Sequence, residues 1–359
     1  MSELQLQGIR KHFRRERVLE DLSLAVEQGE TVAVLGPSGS GKTVLLRLIA
    51  GVLLPDGGDI RLGGASITHL PPERRDVGMA FQSFALYPHL SAFDNIASPL
   101  QAQRVAAPEI RRRVGEIAEL LRITHVLEHL PRALSNGQKQ RTSLARALVS
   151  RPGVLLLDDP LRNVDAKLRY EMRLELPRLL RGFESIVLYV TQDYREAMAL
   201  GDRVGVLLDR RFSQLDRPRA VYGDPANVEI ARLFGDPTIN LYRCRPENGQ
   251  VELFGAPFAL PPAIAAHRGE CLIGLRPEAV EVSTEPGEHA LAVELDTVMP
   301  LNVRAVMLLR AADGSEILSS CPENRVGDFG RDHRRVWARI DPDRALYFDA
   351  ASGARLDRH

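Results

Sequence analysis

The sequence predicts an α/β domain with a mostly parallel central sheet, followed by a small all-β domain. In residues 1–235, short and nearly continuous apolar runs such as TVAVLG, VLLLDD and SIVLYVT alternate with helical patterns. Strands that are apolar on both faces are typical of a parallel sheet covered by helices on both sides. The breaker Gly-Asp-Pro ends this pattern, so residues 236–359 are predicted to form the second domain.

The individual elements follow from the spacing of the apolar residues. The predicted strands of the first domain are residues 3–9, 21–27, 31–35, 76–82, 154–158, 185–191 and 203–208. The clearest helical patterns are residues 108–121, 137–149 and 165–180. In the second domain, turn-forming runs separate the alternating stretches GQVELFG, CLIGLRPEAVEV, ALAVELDTV, VRAVMLLR and RRVWARID. This pattern predicts a β-rich domain of the barrel type.

Composition and charge narrow the classes of function. Lys plus Arg and Asp plus Glu number 47 each, and no basic stripe is visible, which argues against nucleic-acid binding. Cys244, Cys271 and Cys321 are odd in number and far apart, so they predict neither a disulfide framework nor a zinc site. The polar N-terminus argues against a signal peptide, and no apolar run approaches the ~20 residues that span a bilayer. We therefore expect a cytoplasmic protein that meets a membrane only through a partner.

A glycine-rich loop lies between the strand TVAVL and the helical run VLLRLIAG, and its sequence GPSGSGKT fits the phosphate-binding motif G-x-x-x-x-G-K-[ST]. Glycines let backbone N–H groups wrap a phosphate, and the helix directs its positive end at the same anion. Lys42 is predicted to reach the β- and γ-phosphates, and the Thr43 hydroxyl to hold Mg²⁺. The predicted loop consists of Gly36, Pro37, Ser38, Gly39, Ser40, Gly41, Lys42 and Thr43.

Kinases, GTPases, helicases and transporters share such a loop, and two further motifs distinguish between these classes. Residues 154–160 read VLLLDDP, a buried strand that ends in two carboxylates, and Asp158 is the predicted partner of Mg²⁺. Residues 134–141 read LSNGQKQR at the start of a helix. A Ser-x-Gly at a helix start presents a hydroxyl and free N–H groups to a phosphate. It is an ordinary helix cap when alone, but it is far more specific beside the other two motifs.

With these motifs in this order, the sequence resembles the ATPases of ABC transporters, specifically those of carbohydrate importers of the maltose and sn-glycerol-3-phosphate type. GPSGSGKT is similar to their Walker A, VGMAFQSFALYPHLSAFDNI to their Q-loop segment, and LSNGQ to their signature. VLLLDDP resembles the Walker B and LRNVDAKLR the D-loop, while position 192 is where a switch histidine stands. The resemblance implies a P-loop NTPase fold, an ABC cassette with a helical subdomain. The tail with IGLRPEAVEV resembles an OB-like regulatory domain.

The resemblance also assigns roles around the nucleotide. Phe13 would stack on adenine and Val18 would lie beside the ribose. Gln82 would contact Mg²⁺ and sense the γ-phosphate, so that Thr43, Gln82 and Asp158 form the implied metal set. The implied cofactors are ATP and Mg²⁺. No partner nucleic acid is expected.

The same resemblance implies partners. Two ATP-binding subunits dimerise head to tail, so Ser135, Asn136, Gly137 and Gln138 would serve the nucleotide of the partner, with Asp165 in the D-loop. Residues 84–95, with an apolar patch of Leu86, Tyr87 and Pro88, would receive a coupling helix of the two membrane-spanning permease subunits. An extracytoplasmic solute-binding protein would act indirectly. The implied location is the cytoplasmic face of the inner (plasma) membrane, as a peripheral protein.

Several departures from the family pattern fall on catalytic positions. Asp159 stands where Glu usually polarises the attacking water, and Gln192 replaces the switch histidine. Val44 removes a hydroxyl from the α-phosphate region, Arg162 replaces a D-loop serine, and Asn136 replaces the first signature glycine. We favour the interpretation that the chain is the catalytically impaired half of a heterodimer. A fully active homodimeric ATPase and a regulatory nucleotide sensor without turnover remain the alternatives.

Other functions fit the sequence less well. ABC ATPases of DNA repair or translation usually carry long coiled-coil insertions or two cassettes, and this chain has neither. A P-loop kinase would have no use for LSNGQ. The transported solute is not encoded in this chain, and the family favours a sugar, a polyol such as glycerol, or glycerol phosphate.

Overall fold

The computed structural model describes residues 3–14, 16–162, 164–287, 290–301, 303–329 and 335–357. Asn163 of the predicted D-loop and Arg334 of the last predicted β stretch lie outside these described residues. The chain forms two compact units, the first ending at Val221 and the second beginning at Tyr222. The domain boundary between residues 235 and 236 stays a prediction. No helix in the described ranges is long and apolar enough to cross a membrane.

The first unit contains a six-stranded sheet, a four-stranded sheet and the helices around them. The strands are β1 (Glu3–Phe13), β2 (Glu16–Glu27), β3 (Thr31–Leu35), β4 (Gly57–Leu62), β5 (Ala65–Ser66), β6 (Val77–Ala80), β7 (Val154–Asp158), β8 (Ile186–Thr191), β9 (Arg203–Leu208) and β10 (Arg211–Asp216). The helices are α1 (Lys42–Ile49), α2 (Ala92–Ala102), α3 (Ala107–Leu120), α4 (Asn136–Leu148), α5 (Ala166–Arg181), α6 (Tyr194–Leu200) and α7 (Pro218–Gly223), within which the first unit ends.

The central sheet has the strand order β10-β9-β3-β8-β7-β6, and only the edge strand β10 is antiparallel to its neighbour. Its residues alternate between two cores. Leu155 and Leu157 face the cluster formed with α2 to α5, whereas Val154 and Leu156 face the cluster formed with α1 and the antiparallel sheet β2-β1-β4-β5. The predicted α/β class and the mostly parallel sheet are therefore confirmed.

The strand order brings the three predicted site segments together. β8 lies between β3 and β7, and the register pairs Leu35 with Thr191 and Asp158 with Val190. The segments that leave the carboxyl ends of these three strands therefore start side by side. Ligands of open α/β sheets bind at this edge.

After α7, the described residues of the second unit form β-strands, two short α-helices and three 3-10 helices, Pro277–Ala279, Glu323–Phe329 and Pro342–Arg344. The α-helices are α8 (Val228–Leu233) and α9 (Pro262–Ala265). The strands are β11 (Asn240–Cys244), β12 (Gln250–Leu253), β13 (Ala256–Ala259), β14 (Cys271–Leu275), β15 (Val280–Ser283), β16 (Ala290–Leu301), β17 (Arg304–Arg310), β18 (Glu316–Pro322), β19 (Arg335–Ile340) and β20 (Leu346–Asp349).

Within the second unit, β15-β19-β16-β17-β18 form an antiparallel sheet, β11-β14-β20 form another, and β12 and β13 form a hairpin. One apolar core, which includes Ile273, Met307 and Val336, is shared by these elements. The predicted all-β tail is confirmed, and it is consistent with an OB-like regulatory domain.

Helix α1, which follows the glycine-rich loop, is fixed at its C-terminal end by a buried arginine. Arg75 is only 1% exposed. Its guanidinium donates to the carbonyls of Leu48 (2.8 Å) and Ile49 (3.0 Å), and also to those of Leu70 (2.8 Å) and Thr68 (2.6 Å). A Cβ on Gly51, where φ is 78°, would lie 2.5 Å from Arg75 Nε. The turn after α1 therefore requires glycine, and Arg75 satisfies carbonyls that a helix end leaves without partners.

We predict that Arg75→Met lowers the free energy of unfolding of the first unit by about 3 kcal/mol, because it leaves buried carbonyls without donors. Urea denaturation of the full chain measures the change. The neighbouring, exposed Arg74 offers a matched control, since Arg74→Met should change stability by no more than about 0.5 kcal/mol. Equal effects of the two variants would contradict the anchoring role of Arg75.

Candidate nucleotide-binding site

A cleft of about 340 Å³ opens at the carboxyl ends of β3, β7 and β8. It brings together most of the residues that the sequence predicted for nucleotide and metal binding. Its lining consists of Phe13, Val18, Ser38, Gly39, Gly41, Lys42, Thr43, Val44, Gln82, Asp158, Asp159, Arg162, Val190 and Gln192.

The glycine-rich loop supplies free N–H groups to this cleft. α1 begins after Gly41, whose φ is 100°, and no side chain caps the start of the helix. The loop also packs tightly behind the cleft, since a Cβ on Gly36 would lie 2.6 Å from the carbonyl oxygen of Leu207. An uncapped helix start next to a glycine-rich turn is an anion-binding arrangement.

Lys42 is folded back onto its own loop. Its Nζ donates to the carbonyls of Gly36 (2.8 Å) and Pro37 (2.7 Å) and lies 3.3 Å from Ser40 Oγ. Burial lowers the pKa of Lys42, while Asp159 and Asp158 oppose that shift. The ammonium group is thus held at the loop by weak neutral acceptors, and a phosphate would be a stronger partner for it.

Two of the predicted metal ligands are in direct contact. The Thr43 hydroxyl donates to Asp158 Oδ1 at 3.0 Å, and Gln82 lines the same cleft. Burial raises the pKa of Asp158, which is only 4% exposed, and the Thr43 hydrogen bond opposes this shift. Hydroxyl, carboxylate and amide oxygens together form a hard donor set of the kind that Mg²⁺ prefers. Over the described ranges, no three His, Cys, Asp or Glu side chains are grouped as a metal site.

Asp159 faces an arginine that the sequence analysis placed only in the D-loop. The Asp159 backbone has a φ of 47°, and its N–H donates to the carbonyl of Val190 at 2.8 Å. Arg162 Nη1 lies 3.6 Å from Asp159 Oδ2 within the cleft. Burial raises the pKa of Asp159, and Arg162 opposes the shift. The three-residue spacing between these opposite charges was the only sequence signal for this pair.

Gln192 and Val44 complete the cleft without adding charge. Gln192 follows β8 directly and is exposed. Val44 lies in the first turn of α1 and packs against the apolar core below. In place of a switch histidine, the described lining therefore offers Lys42 and Arg162 as its cations.

The predicted signature does not belong to this cleft. Ser135, Asn136, Gly137 and Gln138 lie at the start of α4, and none of them is among the described lining residues. Ser135 Oγ accepts from the Gln138 N–H at 3.3 Å, and Gln138 Oε1 accepts from the Ser135 N–H at 2.9 Å. This reciprocal pair is a capping box, which fixes the helix start while Ser135 and Asn136 stay exposed.

The D-loop is held by an arginine of the helix that follows it, α5. Asp165 is exposed just before α5 and does not appear in the described lining of the cleft. Arg169 donates to the carbonyls of Leu161 (3.2 Å) and Val164 (3.0 Å). The arginine therefore fixes the turn that carries Arg162 toward the cleft.

Segment 84–95 is organised by a buried asparagine. Asn95 is fully buried; its Oδ1 accepts from the Tyr87 N–H at 2.8 Å, and its Nδ2 donates to the carbonyls of Tyr87 (3.1 Å), Leu90 (3.1 Å) and Ser91 (2.9 Å). Leu86 is half-buried and packs against the core of the helices, so only part of its side chain is available for the expected apolar patch with Tyr87. Tyr87, which is 48% exposed, and Pro88 remain outside.

Helix α4 also holds the first part of that segment. Ser143 Oγ donates to the carbonyl of Phe84 at 2.8 Å, and Arg146 Nη1 donates to that of Ala85 at 2.8 Å. The Arg146 guanidinium lies 5.5 Å from the centre of the Tyr87 ring. The sequence analysis missed both residues, although their three-residue spacing places them on one face of the helix.

The fold and the cleft define a P-loop nucleotide-binding protein, and comparison with known proteins identifies the family. Residues 19–162 match the family model described as ABC transporter. The chain is 37% identical to the sn-glycerol-3-phosphate import ATP-binding protein UgpC of Paracoccus denitrificans, over 99% of this chain and 100% of that protein. Identity is also 37% to the trehalose/maltose import ATP-binding protein MalK of Thermococcus litoralis, with the same coverage.

Two further similarities are informative. The spermidine/putrescine import ATP-binding protein PotA of Marinobacter nauticus is 39% identical over 88% of this chain and 87% of that protein. The dimeric post-hydrolysis structure of the ATP-binding cassette MJ0796, bound to ADP and Pi, is 29% identical with a TM-score of 0.56 and covers 60% of this chain and 99% of that chain. The chain therefore belongs to the ABC transporter family. Within it the protein is an ATP-binding subunit and an ATP hydrolase, as the sequence predicted.

We predict that Arg162→Ser weakens ATP binding about 5-fold, because a cation is lost from the cleft while the Asp159 carboxylate remains; that is about 1 kcal/mol. Nucleotide titration in a magnesium-containing buffer measures the affinity. Arg178→Ser is the matched control, since Arg178 is exposed on α5 and its removal changes the net charge equally. Equal weakening in both variants, or none in Arg162→Ser, would show that Arg162 does not act on the nucleotide.

Proposed function

We propose that this chain energises the import of a small solute as one of two ATP-binding subunits attached to two membrane-spanning permease subunits. The observation that carries the proposal is the convergence of Lys42, Thr43, Gln82 and Asp158 on one cleft. The similarity to import subunits over 99% of the chain supports it. The subunit would lie at the cytoplasmic face of the inner (plasma) membrane as a peripheral protein, with an extracytoplasmic solute-binding protein acting indirectly.

Mg²⁺ is the proposed cation of the nucleotide. Thr43, Gln82 and Asp158 would hold it, and the ion would neutralise charge on the phosphates when bound. One carboxylate with two neutral oxygen donors is a small set, as expected for a cation that is held jointly with phosphate oxygens.

The solute is proposed to be a sugar, a polyol such as glycerol, or glycerol phosphate. Relatives named for glycerol-3-phosphate and for trehalose/maltose are equally similar, at 37%. The spermidine/putrescine subunit, at 39%, makes a polyamine a second candidate. Similarity in the ATP-binding subunit does not separate these classes, because no part of this subunit is proposed to contact the solute.

The chain's own site is proposed to bind ATP and to hydrolyse it slowly. Asp159 is one methylene shorter than glutamate, which withdraws its carboxylate by roughly 1.5 Å. Gln192 carries no charge, and loss of a positioned acid or base typically costs about 10²–10⁴-fold in rate. Arg162 restores a cation to the cleft, but it is paired with Asp159 and so weakens that carboxylate as a base.

The partner is proposed to be a different ATP-binding chain with an intact catalytic site. The capping box at Ser135 and Gln138 fixes the signature, which would therefore complete the partner's site. The dimeric state of the related cassette supports the pairing of two such subunits. A homodimer with two equally active sites is the competing function.

We predict that, in membranes containing the whole transporter, a substitution in this subunit's own cleft affects uptake little, whereas a substitution in its signature abolishes uptake. Asp159→Asn should retain at least about half of the solute uptake, because its own site contributes little turnover. Ser135→Arg should abolish uptake and ATP hydrolysis, because it blocks the signature offered to the partner's nucleotide. Uptake of radiolabelled solute and phosphate release are measured together. Loss of uptake in Asp159→Asn would instead support the homodimer.

A second prediction concerns the segment that faces the permease. Tyr87→Ala should lower uptake at least about 5-fold, because it removes apolar contact area, and should leave ATP affinity within about 2-fold. The matched control is Tyr170→Ala, since Tyr170 is also an exposed tyrosine, 65% exposed on α5. If both variants transport normally, segment 84–95 does not receive the permease.

A further inference from the structure

Two cysteines meet in the second unit. Strands β11 and β14 are antiparallel, and their register places Cys244 directly opposite Cys271. The two Sγ atoms are 3.3 Å apart, although the residues are 27 positions apart in the chain. Directly opposed residues of antiparallel strands have Cα atoms about 4.5–5.5 Å apart, which lies within the range that a disulfide spans. No disulfide was expected from the sequence, because the pairing depends on the register of two strands that are distant in the chain.

We propose that Cys244 and Cys271 form a reversible intramolecular disulfide when the protein meets a hydroperoxide, so that this strand pair is a thiol modification site. Both side chains lie on the same face of the sheet, and a modest rotation of the two side chains would close the gap between the sulfurs. Cys321 lies on β18, opposite Ala305 of β17, in a different sheet.

Of the two cysteines, only Cys244 is accessible from a cavity. Cys271 is fully buried, whereas Cys244 is half-buried and lines a cavity of about 500 Å³. Arg243, Arg245 and the β12–β13 hairpin form much of the rest of that cavity. A small oxidant therefore reaches Cys244 first, and Cys271 is protected from direct oxidation.

The chemistry needs two steps. The Cys244 thiolate attacks one oxygen of hydrogen peroxide, so an S–O bond forms, the O–O bond breaks and hydroxide leaves. The Cys271 sulfur then attacks Cys244 Sγ, so the S–S bond forms, the S–O bond breaks and a second hydroxide leaves. The two thiol protons convert the hydroxides to two waters. Two electrons pass from the sulfurs to the peroxide.

The environment of each sulfur affects how readily that thiol ionises and reacts. The two sulfurs share a hydrogen bond, which raises the pKa of Cys244 and lowers the pKa of Cys271. The buried thiol is therefore the readier nucleophile for the second step, whereas the accessible thiol ionises with difficulty.

The cross-link would also fix a strand that anchors its surroundings. β14 runs into Arg276, whose guanidinium donates to the carbonyls of Ala231 (3.0 Å) and Tyr222 (2.9 Å) within the second unit. The disulfide would tie the start of this strand to β11. The expected gain in stability is a rise of about 5 °C in the unfolding midpoint of the second unit.

To test the proposal, the full chain is treated with hydrogen peroxide and its remaining thiols are alkylated under denaturing conditions. The mass of the product is then measured by mass spectrometry. The wild type is expected to lose the mass of two hydrogen atoms and to fall from three alkylatable thiols to one, with dithiothreitol restoring all three. Peptide mapping should join Cys244 to Cys271. Cys321→Ser should behave in the same way, with two thiols falling to none.

Cys244→Ser is the decisive variant, because a half-buried position tolerates the hydroxyl better than the buried Cys271 does. It should keep its two thiols free of any intramolecular bond. Three intact thiols in the oxidised wild type, added oxygen without a disulfide, or a bridge that uses Cys321 would each overturn the proposal. None of these readouts depends on ATP hydrolysis, so the test stands apart from the proposed transport function.

Discussion

The nucleotide-binding unit depends on a helix, α1, that is open at its first turn and anchored at its last. Its first turn must stay uncapped so that the N–H groups after Gly41 face the cleft. Its last turn is held by the buried Arg75, whose hydrogen bonds also tie down Thr68 and Leu70. The negative end of the helix and these carbonyls offset the cost of burying the cation. A helix anchored in this way cannot slide, so the phosphate-binding groups are positioned before any ligand arrives.

The cleft buries charged side chains at a cost in free energy. Burial raises the pKa values of Asp158 and Asp159, and Lys42 is held by carbonyls of its own loop. Lys42 and Asp158 are hydrogen-bonded to neutral groups, the loop carbonyls and the Thr43 hydroxyl respectively. Sites built for function commonly accept such a cost in stability. Bound phosphate would partner Lys42, whereas Arg162 already partners Asp159 and leaves that carboxylate less available.

The sequence predicted the site better than its surroundings, for a physical reason. Asp158 ends β7, whereas Lys42, Thr43 and Gln192 lie in the segments that leave β3 and β8. The carboxyl ends of neighbouring parallel strands lie side by side, so these residues meet at one edge of the sheet. Motif spacing was therefore enough to place them. The hydrogen bonds of Arg75, the packing of the half-buried Leu86 and the meeting of Cys244 with Cys271 depend on how distant segments are placed against one another. Local periodicity carries no information about that placement, so these contacts could not be predicted.

In the proposed transporter, helix α4 would give this subunit a mechanical role. One end carries the signature, fixed by the capping box of Ser135 and Gln138. Further along the same helix, Ser143 and Arg146 donate to the carbonyls of Phe84 and Ala85, two residues with positive φ values in segment 84–95. The helix has 13 residues and is about 20 Å long. When the two subunits close and the partner's ATP contacts the signature, α4 and this segment would move together. Under the proposed function, this subunit would therefore transmit the movement driven by the partner's ATP to the permease subunits, even with slow hydrolysis at its own site.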